Sequence, residues 1–129
     1  MNMSSLWEDV TIVKKVIAEG TSRTLSGRLM KAGQPVPGSE LVSMTLKLYD
    51  VATNGDINGH SGTNILNTNG GAIDEAGNWE MALKPADNPV VTDANPTEAH
   101  IALIEWSRGA DDAGKHVVVL TVGNISKVP

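Results

Sequence analysis

The chain has 129 residues and no cysteine, which fits one domain and excludes disulfides, zinc–thiolate sites and a cysteine nucleophile. Its net charge of −5 and its scattered basic pairs, such as Lys14-Lys15, exclude the basic, aromatic-rich face of a nucleic-acid binder. No apolar run approaches the ~20 residues needed to cross a bilayer, and the first nine residues lack the basic start and apolar stretch of a secretory leader.

With only three Trp, one Tyr and no Phe, the core has to be built from Val, Ile, Leu, Met and Ala. Residues 1–9 read as a loose arm. Residues 10–17 place Val10, Val13 and Ile17 at helical spacing, and Ser5 and Glu8 have capping-box spacing. The segment is nevertheless crowded with β-branched side chains, which favours a strand. Residues 24–31 alternate, with Leu25, Gly27 and Leu29 on one side. Residues 32–38, with two glycines and two prolines, predict a turn. Residues 41–50 predict a half-buried strand with Val42, Met44, Leu46 and Leu48 inward.

Residues 51–71 are rich in Asn-Gly and Ser-Gly steps, which supply the positive φ of turns, so a long loop is expected. Ile65 and Leu66 would dock it on the core or form a short edge strand. Residues 78–84 alternate again with Trp79, Met81 and Leu83 inward, and the proline-rich stretch 85–96 predicts a second long loop. Residues 100–107 and 116–122 are the richest β segments, joined by a polar turn at 108–114, and predict a hairpin. About seven short strands with regular turn signals predict an all-β, antiparallel two-sheet sandwich over 10–129, preceded by the arm 1–9.

Several groupings invite chemistry. Asp56-Ile57-Asn58-Gly59-His60 begins like a calcium loop, but His60 and Ser61 stand where an oxygen ligand and the turn glycine belong, so a turn stabilised by its own Asp and Asn side chains is expected. His60, His100 and His116 have no metal-ligand spacing and read as structural, with His100 and His116 near each other across the hairpin or on its wet face. Glu105 beside Trp106 could act as a buried general acid, or face water and pair with a Lys or Arg. No nucleophile elbow, phosphate loop or HExxH is present. No enzyme, cofactor or metal is therefore expected. Trp79 and Trp106 are expected in the core, whereas Trp7, with little local core to enter, reads as an interface anchor.

From residue 44 onward the chain resembles a group of small tailed-bacteriophage structural proteins with an immunoglobulin-like domain. Five stretches carry the likeness. Leu46-Lys47-Leu48-Tyr49-Asp50 leads into Asp56-Ile57-Asn58-Gly59, and Ile65-Leu66-Asn67 into Asn69-Gly70-Gly71. Gly77-Asn78-Trp79 precedes Leu83-Lys84-Pro85-Ala86-Asp87-Asn88. Residues 98–106 are the densest match, and Gly114-Lys115-His116 with the terminal residues 124–129 complete it. The resemblance covers about two-thirds of the chain and carries no catalytic residues. It implies a virion part assembled in the host cytoplasm: a capsid decoration or cement protein, or a head-to-tail connector or tail component. The implied partners are major capsid, portal or tail subunits, bound in many copies or as a ring, with neither membrane nor specific nucleic acid involved. The residues expected at that interface are Leu6 and Trp7 in the arm, Asn58, His60 and Asn64 in the first loop, and Asp87, Asn88 and Val91 in the second. A ligand-binding or adhesive module, for instance for carbohydrate, is the alternative, although so few aromatics make a poor sugar platform.

Overall fold

The computed structural model describes residues 10–125, and side chains from residue 13 onward, so Leu6, Trp7 and the rest of the expected arm lie outside the described residues. Ten strands run in chain order: β1 (Val10–Ala18), β2 (Arg23–Arg28), β3 (Met30–Lys31), β4 (Gln34–Pro35), β5 (Ser43–Asp50), β6 (Asp56–Asn64), β7 (Gly71–Ile73), β8 (Asn78–Leu83), β9 (Thr97–Gly109) and β10 (Asp112–Gly123). Two 3-10 turns, Gly38–Glu40 and Pro85–Asp87, interrupt the loops. The strands form a five-stranded sheet in the order β1-β10-β9-β5-β6, a three-stranded sheet β2-β8-β7, and the small pair β3-β4.

Alternation builds the core. Met44, Leu46 and Leu48 from β5, Ala102, Ile104 and Trp106 from β9, and Val118, Leu120 and Val122 from β10 are all buried. They join Leu25 of β2 and Trp79, Met81 and Leu83 of β8 in one hydrophobic cluster. Fully burying each such aliphatic side chain is worth about 1.5–3 kcal/mol. The two tryptophans expected in the core are there, at 0% and 3% exposure. The expected hairpin is also present, and β9 pairs antiparallel with β10 along its length.

The structure corrects the sequence reading at several places. The fold is all-β but not wholly antiparallel, because β1 runs parallel to β10, from Val10 beside Lys115 to Ala18 beside Gly123. Among the described residues the strands number ten rather than about seven. The expected turn at 108–114 shrinks to Ala110 and Asp111, since strand pairing reaches Gly109 on one side and Asp112 on the other. Val42 is 69% exposed just ahead of β5, and Leu41 is buried in its place, so the alternation starts at Ser43. The long loop at 51–71 contains β6, a nine-residue strand on the edge of the larger sheet. β6 tolerates its Asn and Gly content because its register with β5 slips twice. Asn58, Gly59 and Gly62 there take φ of 52°, 74° and 132°. Ile57 and Ile65 anchor the segment in the core. Asp56 opens this strand instead of stabilising a turn, and it is Asp50 that staples the β5–β6 turn, accepting the Thr53 N–H at 3.0 Å.

Neither hairpin histidine is on a wet face, and they are not neighbours. The register sets His116 opposite Ile104 and His100 opposite Leu120. Both point into the core, at 2% and 0% exposure. His116 meets the edge of Trp79 at 5.0 Å between ring centroids, with the rings inclined at 79°. Gly27 makes room for this pair, since a Cβ there would lie 2.8 Å from His116 Cε1 and 2.9 Å from Trp79 Nε1.

Candidate interaction site

Among the described residues, five of the six buried polar or charged ones, Asp50, Asp87, Asn88, His100 and Asn124, sit where β5, β8 and β10 end or β9 begins. Buried polar groups need partners, and several of these residues use theirs to fasten the 84–96 segment that crosses from β8 to β9.

Asp87 closes the 3-10 turn after β8. Its Oδ2 accepts the Lys84 N–H at 2.7 Å, while its own N–H returns to the Lys84 carbonyl at 2.9 Å. Its Oδ1 accepts from Asn58 Nδ2 and from His60 Nε2, each at 2.8 Å. Burial alone would raise the Asp87 pKa, but these hydrogen bonds outweigh it and hold the carboxyl below its ordinary 3.8. The other ring nitrogen of His60 lies 2.8 Å from Thr63 Oγ1. Hydroxyl, imidazole and carboxylate therefore stand in line, the connectivity of a nucleophilic relay. The carboxylate, however, is already committed to a turn N–H and to Asn58, and the observable consequence is mechanical. The kink of edge strand β6 is fastened to the turn after β8, although nothing in their sequence separation announces it. A hollow of about 320 Å³ with mixed polar and apolar walls opens beside this junction, lined by Asn58, His60, Thr63, Met81 and Lys84 among others.

The rest of the segment is pinned residue by residue. Asn88 Nδ2 donates to the Thr21 carbonyl at 2.8 Å, and the Asn88 carbonyl accepts the Gly20 N–H at 2.7 Å. The Val91 and Thr92 N–H groups donate to the Glu98 carboxylate. Asn124 Nδ2 donates to the carbonyls of Asp93 and Asn95, at 3.0 and 3.1 Å. A loop held this way presents its outward side chains, Val91 at 44% exposure among them, with little ordering cost left for binding.

Of the residues singled out from sequence, Asn58, His60 and Asp87 are brought together, with Asn88 and Val91 further along the same segment. Asp87 and Asn88 are buried, so they position this surface rather than cover it. Asn64 is not part of it. It lies at the far end of β6, accepting the Leu66 N–H at 3.1 Å. Glu105 is exposed, with Lys115 Nζ 3.9 Å away, so it faces water and pairs rather than acting as a buried acid. The contributions of Glu98 and Asn124 were missed from sequence, since each acts on backbone, and backbone leaves no residue-type signal. Comparison with protein-family models and with curated proteins found no match for this chain.

Proposed function

We propose that this chain is a non-enzymatic structural subunit of a tailed-bacteriophage virion, a capsid decoration protein or a head-to-tail connector component, built on an immunoglobulin-like sandwich. The observation that carries the reading is the strand order. β2, β8 and β7 stand as strands B, E and D of such a sandwich, and β10, β9, β5 and β6 as G, F, C and C′. β1 has moved from the first sheet to the free edge of β10. That order supports the immunoglobulin-like reading, although the resemblance begins at residue 44 and β1 to β4 lie ahead of it.

The described site suits a surface that meets other subunits. Its loop is pinned, and its exposed residues come from two strand-linked segments far apart in sequence. On this reading Asn58, His60 and Val91 make the contacts, Asp87 and Asn88 hold them in place, and Leu6 and Trp7 add an arm. The aromatic content argues against a sugar-binding module, because Trp79 and Trp106 are buried and Lys47 lies over the Tyr49 ring, 5.7 Å from its centroid.

The test is incorporation into particles assembled without the chain, with copy number read by mass spectrometry. Wild-type protein should load at a fixed ratio to the coat or portal subunit. His60→Ala combined with Val91→Glu should fold normally and load roughly tenfold less, the scale of losing interface anchors. Deletion of residues 1–9 should also leave the fold intact and weaken loading. Failure of wild-type protein to associate with any shell, connector or tail subunit would remove the proposal.

A further inference from the structure

The inner faces of β5 and β9 change character at one end. Asp50 follows Met44, Leu46 and Leu48 in phase and is 1% exposed, and His100 precedes Ala102, Ile104 and Trp106 in phase and is fully buried. The register sets Asp50 directly opposite His100. Glu98, two residues before His100, shares its face. His100 Nε2 lies 2.5 Å from Glu98 Oε2 and 3.7 Å from Asp50 Oδ1. One ligating atom from each of the three residues falls within 4.8 Å of the other two.

Both carboxylates are held from behind. Asp50 Oδ2 accepts from the Thr53 N–H at 3.0 Å and from Thr53 Oγ1 at 2.8 Å. Glu98 Oε1 accepts from the Val91 and Thr92 N–H groups, each at 3.0 Å, and Val91 also approaches Oε2 at 2.9 Å. This leaves Asp50 Oδ1 as the carboxylate oxygen on the imidazole side, 3.7 Å from His100 Nε2. Charge does not balance. Two ionised carboxylates outweigh even a protonated imidazole, and among the described residues His100 is the one cationic partner of either acid. Buried charge left uncompensated is unfavourable and is met in proteins by pairing or by a metal ion.

We propose that Asp50, Glu98 and His100 form a binding site for one divalent cation of the zinc class, held by Asp50 Oδ1, Glu98 Oε2 and His100 Nε2. The ion's two charges cancel the two carboxylates while the imidazole stays neutral. One nitrogen and two oxygen donors suit Zn²⁺, whereas Ca²⁺ takes six to eight oxygens. Bonds of about 2.0–2.2 Å in a tetrahedron place ligand atoms roughly 3.3 Å apart. The two distances from His100 Nε2 depart from that spacing in opposite senses, each by less than about 1 Å. The Thr53, Val91 and Thr92 contacts are the outer hydrogen bonds that orient ligating carboxylates. His100 Nδ1 takes the ring proton when Nε2 binds the ion. Among the described residues it is buried without a partner, which weakens the affinity by a share of the 10–100-fold that outer contacts command. The ion would tie the β5–β6 turn and the 84–96 segment to the sandwich. The inference does not depend on a virion role.

The experiment uses the untagged full chain, stripped with chelator and titrated with ZnCl₂, with bound metal counted by mass spectrometry and by calorimetry. The expected result is one Zn²⁺ per chain, a raised Tm, and no such rise with the same concentration of CaCl₂. Asp50→Asn should weaken binding tenfold or more with the metal-free fold retained, and His116→Leu should leave binding unchanged. Should Asp50→Asn not fold, the His100 ring resonances of the wild-type protein report instead, and they should shift on zinc addition. No zinc bound up to about 1 mM, binding indifferent to Asp50→Asn, or unshifted His100 resonances would each overturn the proposal.

Discussion

Two imidazoles are buried in the same core and are accommodated in opposite ways. His116, midway along the sandwich, is packed against Trp79, and among the described residues neither of its ring nitrogens has a hydrogen-bond partner. His100, at the polar end, lies between two carboxylates that are themselves tied to loop backbone. The first is shape filling that happens to carry nitrogens. The second is an electrostatic junction on which two loops depend. The contrast teaches that burial of a histidine says little until its partners are counted.

The comparison breaks most visibly at His100. His100→Leu leaves Asp50 and Glu98 facing each other, and removing one partner of a buried ionic group costs about 3–5 kcal/mol. Urea unfolding should show that loss, with protection of the 50–56 and 90–96 amides falling first in hydrogen exchange. At the other site, Gly27→Ala forces a methyl against the His116 and Trp79 rings and should cost about 1–3 kcal/mol. His116→Leu should run the other way. It removes two unpaired nitrogens at similar volume, so stability should be unchanged or rise by up to about 1 kcal/mol. A loss larger than that would mean that His116 has a polar role the packing does not reveal.

The smallest effect is in the pH profile. Burial holds the His116 imidazole below its ordinary 6.5. The unfolded chain then takes up the proton more readily, so stability present above about pH 6.5 is lost as pH falls through the depressed folded value. Burial would raise Glu98, but the Thr92 N–H, His100 and the Val91 N–H outweigh it and hold the carboxyl below its ordinary 4.5. Its contribution is present above that value and lost on further acidification. Tm measured against pH should therefore fall in two stages, and His116→Leu should flatten the upper stage alone.

Much of this was legible in the sequence, and the reason is periodicity. Period-two alternation placed Met44, Leu46, Leu48, Trp79, Met81 and Leu83 inside because a half-buried strand allows no other phase. It failed at β6, whose side chains carry almost no strand preference and whose conformation is imposed by pairing with β5. It could not foresee β1 beside β10, since parallel and antiparallel edges look the same residue by residue. The polar end was half visible. Asp50 and His100 occupy the apolar phase of their own strands, so each could have been flagged as a buried polar group. That they face each other is a matter of register between strands, and register across a long connection is not written in either segment. The junction of Asn58, His60 and Asp87 lay within two stretches read as loops, but its hydrogen bonds appear only when β6 is folded onto the sheet edge.

The parallel pairing of β1 with β10 has a mechanical consequence. Val10 and Gly123 lie at opposite ends of nine matched residue pairs. Tension applied through the two termini drags these strands past one another lengthwise, so the inter-strand bonds share the load instead of peeling in sequence. A single-molecule pulling experiment should record a high rupture force that drops when the register is interrupted by Val16→Pro, a useful property in any part that must survive internal pressure or tugging.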